Sequence, residues 1–178
     1  MQGRTEKDGD IWGPTDVYAV RLPLPGDAKP VVFGQTMNRK GPYDANDPFL
    51  GMRPTDDVVA GTGHNPTADR GQDRYNPNDP PMPVAWTKSY QVPGAKKGKV
   101  FATTMGSSTD LASSGIRRML VNAVYWSVGL ENEIPKQGTK VALVGAYHPT
   151  AYWFHGNDYW KNKAIKPSSF RMSPAPSR

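Results

Sequence analysis

Cysteine is absent from this chain of 178 residues, which excludes disulfides, thiolate metal sites and a cysteine nucleophile. No apolar run approaches the ~20 residues needed to span a bilayer, and Met1 is followed by polar residues rather than a signal-peptide core. Taken alone, the chain reads as soluble and cytoplasmic; a longer gene with an upstream signal would make it periplasmic or secreted. Histidine is scarce, and neither His148 nor His155 has a carboxylate at a ligand spacing. No Gly-rich phosphate loop, serine elbow or HExxH pattern occurs, so no metal and no cofactor is expected. Apolar residues make up only 37%, whereas Gly and Pro number 18 each, which predicts a small core and much irregular loop.

The formal net charge is +6, and most of the excess lies after residue 130. A dispersed excess of this kind describes a solvated surface better than a groove tracking phosphates, so no nucleic-acid partner is expected.

What is present gathers around residues 83 to 129. Val84, Trp86 and Tyr90 alternate with Ala85, Thr87 and Ser89, the period-two pattern of a half-buried strand. Pro93-Gly94 and the basic run from Lys96 to Lys99 make a solvated turn. Val100 to Met105 then reads as a second, antiparallel strand. Ser113 is a plausible N-cap for a long helix over about Ser114 to Val128. In it Ile116, Met119, Leu120, Ala123, Val124 and Ser127 recur three and four apart. That stripe is expected to lie on a pleated layer including Trp86 and Phe101, with Arg117 and Arg118 outward and Gly129 as a left-handed cap.

Elsewhere the signals are weaker. Val17 to Leu22 and Val31 to Met37, joined by the turn formers Pro23 to Asp27, read as a hairpin-like pair. More than half of residues 38 to 83 are Gly, Pro, Asp or Asn, and a loop so long is expected to be functional or disordered, here an excursion partly disordered. Its Asp56, Asp57, Asp69, Asp73, Asp79 and His64 are possible hard-cation ligands. Their spacing fits no calcium loop, and turn formation accounts for the acids. Val141 to Tyr147 reads as a final edge strand. The tail from 148 to 178 is basic, and Tyr147, Tyr152, Trp153, Phe154, Tyr159 and Trp160 crowd together at its start. Such aromatics either pack across the domain or form a platform for sugar rings.

Three ordered pieces, Trp86 to Tyr90 (Trp-Thr-Lys-Ser-Tyr), Val100 to Gly106 (Val-Phe-Ala-Thr-Thr-Met-Gly) and the Arg117 to Trp126 helix, resemble the closing segment of ThuA-like (trehalose-utilisation) domains. Trp12 to Tyr18 resembles the acidic-then-tyrosine motif such domains carry earlier. The resemblance implies an α/β, class I glutamine amidotransferase-like (flavodoxin-like) fold, of which this chain holds the C-terminal part. Residues 1–147 would be that partial domain, with 38–83 as an insertion and 148–178 as a tail. Four to five short strands, mostly hairpin-connected, would carry the one long helix, leaving sheet surface for an oligomeric or partner chain to cover. Amidotransferases of this fold use a cysteine, so glutamine hydrolysis is not expected.

The resemblance also implies carbohydrate or glycoside utilisation, with an incomplete catalytic constellation here. Asp16 and Tyr18 are two apart and would share one face of a strand, a carboxylate and a phenol suited to a polyol's hydroxyls. Trp12 stands just ahead of them. Ser107 occupies a strand-to-helix turn where open α/β sheets gather ligands, at a point where many ThuA-like domains have histidine. It has no adjacent base in sequence to make it a nucleophile, and a turn role is the plainer reading. The alternative is a non-catalytic sugar-binding or protein-interaction module that uses the aromatic tail.

Overall fold

A computed structural model describes residues 11, 20–47, 49–58, 63–64, 74–75, 78–150 and 155–170. The protein is mixed α/β, and every strand pair among the described residues is antiparallel. The strands are β1 (Lys29–Gly34), β2 (Met37–Asn38), β3 (Asp57–Val58), β4 (Gly63–His64), β5 (Arg74–Tyr75), β6 (Met82–Tyr90) and β7 (Gly98–Thr103). The helices are α1 (Ser114–Ser127) and α2 (Asn157–Lys163). The main sheet has the order β1-β6-β7, and β2-β3 and β4-β5 form two-stranded ribbons.

β6 and β7 are the hairpin expected from the alternation, with Ala85 opposite Thr103, Thr87 opposite Phe101 and Tyr90 opposite Gly98. The Tyr90 ring lies against Gly98, whose missing side chain leaves it room. β1 pairs with β6, from Lys29 opposite Thr87 to Gly34 opposite Met82, with register shifts around Val32. Of the expected partner strand Val17 to Leu22, residues 20 to 22 are not strand and residues 17 to 19 lie outside the described residues; the partner that β1 has among the described residues is far along the chain. Beyond the end of β1, Asp27 continues the ladder with its side chain. It accepts from the Ser89 amide at 3.1 Å and from the Ser89 hydroxyl, and Lys97 stands 3.7 Å away.

α1 begins where Ser113 Oγ accepts from the Ile116 amide at 3.5 Å. It ends in a Schellman turn, with Gly129 at φ +80, the Leu130 amide on the Tyr125 carbonyl and the Gly129 amide on that of Trp126. Lys99 Nζ reaches from β7 to the Trp126 carbonyl at 3.0 Å and to Glu131 at 2.7 Å. A cation there complements the helix's negative end.

The core is Ala85, Ile116 and Met119, with Val32, Phe101, Met105, Leu111 and Leu120 around it. The helix therefore lies on the face carrying Ala85 and Phe101. By alternation Trp86 is on the opposite face, half-buried, so the expected layer is corrected to include Phe101 but not Trp86. Small residues explain the choice: Ala85 and the buried Gly115 let Ile116 and Met119 settle onto the strands. The stripe also turns away from its expected course. Met119 is 1% exposed, but Val124 is 61% exposed, and the inward position of that turn is the buried Asn122, whose Oδ1 accepts from Thr139 Oγ1 at 2.9 Å. A satisfied buried amide takes a place that hydropathy assigns to an apolar residue.

Arg117 and Arg118 do not point outward to solvent. Arg117 donates to the carbonyls of Val141 (2.8 Å), Leu111 (2.6 Å) and Ala112 (2.9 Å), and Arg118 to Thr139 (3.1 Å). With these carbonyls taken by guanidinium groups, residues 139 to 147 form no strand, which corrects the expected edge strand at Val141 to Tyr147.

The described part of the 38–83 stretch is built rather than loose. Asn78 brackets Thr36, accepting from its amide at 2.7 Å and donating to its carbonyl at 3.1 Å, so one side chain closes the base of the stretch. β2 and β3 close the segment between them. Within it Asp56 accepts from the amides of Arg53 (2.9 Å) and Lys40 (3.2 Å), and Asp57 pairs with Lys40 at 2.7 Å. Backbone amide bonds, first that of Arg53, hold the Asp56 carboxyl below its ordinary range. Asp69 and Asp73 lie outside the described residues.

Candidate functional site

β7 delivers the chain into the turn Met105 to Thr109. Gly106 there has φ +140, a backbone region that L side chains seldom enter. Asp110, fully buried, organises the turn: its Oδ2 accepts from the amides of Gly106 (2.8 Å) and Ser107 (3.2 Å). Ser107 Oγ lies 2.9 Å from Thr109 Oγ1 and accepts from the Asp110 amide at 3.3 Å. The Ser107 hydroxyl is thus spent inside the turn. Thr109 stands beside it, buried and facing a cleft.

A second wall comes from the segment around residue 147. The Tyr147 hydroxyl donates to the Ser108 carbonyl at 2.6 Å, and the Ser108 hydroxyl donates to the Thr150 carbonyl at 2.8 Å. This reciprocal pair holds Tyr147, His148 and Pro149 against the end of β7.

The third wall is the Asp44–Leu50 loop. Asp47 accepts from the amides of Phe49 (3.1 Å) and Gly51 (3.0 Å) and from Arg53 Nη1. The Arg53 guanidinium chiefly, then the Phe49 and Gly51 amides, hold its carboxyl below the usual carboxylate range despite partial desolvation. Leu50 and Gly51 take positive φ to complete the loop, and a side chain at Gly51 would collide with the Pro42 carbonyl.

Between these walls is an open cleft of about 160 Å³, lined by Ala45, Asn46, Asp47, Leu50, Thr109, Tyr147, His148 and Pro149. It offers a carboxylate, an amide, two hydroxyl oxygens and an imidazole beside a small apolar surface. Such a set binds hydroxyl-bearing ligands, donors and acceptors alternating over a modest area. No group of three or more His, Asp or Glu among the described residues could hold a metal ion.

Of the site residues expected from sequence, Trp12, Asp16 and Tyr18 lie outside the described residues. Ser107 shapes the turn and does not line the cleft, whereas its neighbour Thr109 does. Asn46, Asp47 and Thr109 were not singled out in sequence. No spacing signals their meeting with Tyr147 and His148, because the three walls are remote in the chain and join only through turn geometry.

Of the crowded aromatics, Tyr147 docks on the Ser108 turn, while those of α2 cluster by themselves. His155 stacks on Tyr159 with ring centroids 3.6 Å apart, and Trp160 meets both rings edge-on. These rings pack on one another, Trp160 stays 50% exposed, and no other described element lies against α2. Tyr152, Trp153 and Phe154 lie outside the described residues. No helix among the described residues is long and apolar enough to cross a membrane.

The chain matches no protein-family model, no curated protein and no solved structure.

Proposed function

We propose that this chain carries the closing segment of a ThuA-like domain, of class I glutamine amidotransferase-like fold, and binds a sugar or glycoside in the cleft at the carboxyl end of β7. The observation that carries this is the convergence of Asn46, Asp47, Thr109, Tyr147 and His148 at the point where a strand gives way to a helix. These are the groups that pair with hydroxyls. The strand, strand, helix order of residues 82 to 127, on which the resemblance rests, supports the same reading. The resemblance also assigns Trp12, Asp16 and Tyr18 to sugar binding, and turnover needs residues beyond those converging here.

The test is titration of the chain with neutral sugars, followed by ligand-observed NMR. Tyr147→Phe and His148→Ala should weaken binding, while Trp160→Ala should leave it unchanged. Absence of binding by any sugar at millimolar concentration overturns the reading.

A second reading, a non-catalytic module that binds through the tail, draws on the exposed Tyr159 and Trp160, which cluster with the half-buried His155. It makes the opposite prediction, since Trp160→Ala would abolish binding and His148→Ala would not.

A further inference from the structure

The geometry points to an interaction surface at the free edge of β7, where an extended peptide with apolar residues at alternate positions adds to the sheet as a fourth strand beneath α1. Of the two edges of the main sheet, only this one is open. β1 carries Pro30, which has no N–H to offer, and its register shifts on both sides of Val32, devices that blunt an edge. β7 is regular throughout and contains no proline. The Thr104 amide donates to the Val84 carbonyl at 2.9 Å, so Val100 and Ala102, at even steps from it, also turn their backbone groups to β6. Lys99, Phe101 and Thr103 turn theirs outward, where no described residue bonds them.

α1 is the roof of the site. It approaches β7 and no other described strand, and it runs antiparallel to it, since Lys99 at the start of β7 reaches the Trp126 carbonyl at the end of the helix. A helix is about 10–12 Å across and strands are about 4.8 Å apart, so a helix seated over the last strand projects past it. Phe101 sends its side chain to the helix and its backbone groups to the open edge, and the right-handed turn of α1 then decides which flank overhangs. Arg118 and Asn122, both bonded to Thr139, lie on the flank toward the middle of the sheet. The flank over the edge carries Leu120, Ala123 and Val124, of which Val124 is left exposed.

The same overhang selects the occupant. A second copy pairing through its own β7 about a two-fold axis would bring its α1 onto the same face of the joint sheet, roughly one strand spacing (~4.8 Å) from this one, whereas packed helices stand about 8–10 Å apart. A bare extended peptide has no helix to collide. Its backbone pairs with that of Lys99, Phe101 and Thr103 whatever its sequence, and every second side chain rises toward Leu120 and Val124, where a charge would be desolvated.

An acetylated and amidated peptide, Thr-Val-Ser-Val-Ser-Val-Thr, added to the full chain tests this by amide exchange followed residue by residue in NMR. In the free chain the Lys99, Phe101 and Thr103 amides should exchange at least about tenfold faster than those of Val100 and Ala102, and the peptide should slow them by about tenfold or more. Val124→Glu should weaken peptide binding about tenfold and leave the helical circular dichroism unchanged, because the side chain is exposed. The same peptide methylated on its backbone nitrogens should not bind, which tests the pairing without altering the protein. Exchange untouched by the peptide at millimolar concentration, or equal binding of the methylated peptide, overturns the proposal. Protection of the three amides that rises with protein concentration alone would place a second copy at the edge and overturn it too.

Discussion

Replacing Ile116 by alanine tests the packing on which the fold depends. Ile116 is 0% exposed and sits with Ala85 and Met119 at the centre of the contact between α1 and the sheet. The substitution removes three carbons, about 2.4 kcal/mol at ~0.8 kcal/mol per buried methylene, and any residual cavity adds to that. A loss of about 3 kcal/mol is expected, from a total stability of roughly 5–15 kcal/mol. With a urea m-value of ~2 kcal/mol/M, the midpoint of a circular-dichroism melt should fall by about 1.5 M. If that leaves too little native protein to measure, Ile116→Val should cost about 1 kcal/mol instead. Val124→Ala is the decisive companion. Val124 is 61% exposed, so truncation should change stability by no more than about 0.5 kcal/mol, and alanine's helix preference offsets even that. Equal losses at the two positions would refute the placement of the helix, because the two differ in burial and not in hydrophobic character.

Three further outcomes follow from other parts of the structure. The Asp27 carboxyl is lowered from 3.8 to about 2, first by the Ser89 hydroxyl, then by the Ser89 amide, with Lys97 and Lys88 adding to it. A depressed carboxyl contributes stability that is fully present above its unfolded value and is lost as pH falls through the folded one. Asp27→Asn should therefore flatten the decline in urea midpoint as pH drops from about 3.8 to about 2, and an unchanged slope would remove Asp27 from the account. Gly51→Ala forces a side chain onto φ +83 and against the Pro42 carbonyl, and should cost at least about 1 kcal/mol. Hydrogen exchange should then quicken at the Leu50 and Gly51 amides and stay unchanged in α1. Arg117→Lys should release the stretch around Val141, because one ammonium cannot span three carbonyls and keep this one with those of Leu111 and Ala112. Amide exchange across 139–150 reads this, and protection equal to that of the unaltered chain would count against the clamp.

The parts legible in sequence are those governed by local rules. The β6–β7 hairpin, the Ser113 cap and the Gly129 stop depend on neighbours within a few residues, and alternation and capping chemistry sufficed to locate them. Which face of β6 meets the helix was not legible, because Trp86 and Tyr90 advertise hydrophobicity while the contact is made through the small Ala85. Nor was the turning of the stripe at Asn122, since the bond that Thr139 gives this buried polar residue comes from a remote segment. The failure at 141–147 has the same origin: its apolar residues suggest a strand, yet its neighbouring carbonyls are claimed by two arginines of the helix. The candidate site was the least visible of all. Ser107 lies in the right turn, but the cleft forms where that turn meets an Asp-built loop and a clamped segment, and only the assembled fold brings these three together.

The arginine clamp also implies an order of events. The socket that receives the stretch after Gly138 is carried by α1, so that stretch has nowhere to dock until the helix has formed. The helix gathers its contacts locally, which favours its early appearance. One wall of the cleft is therefore the last to be laid, and on gentle destabilisation it should be the first to open, with Tyr147 and His148 departing while the β6–β7 hairpin still stands.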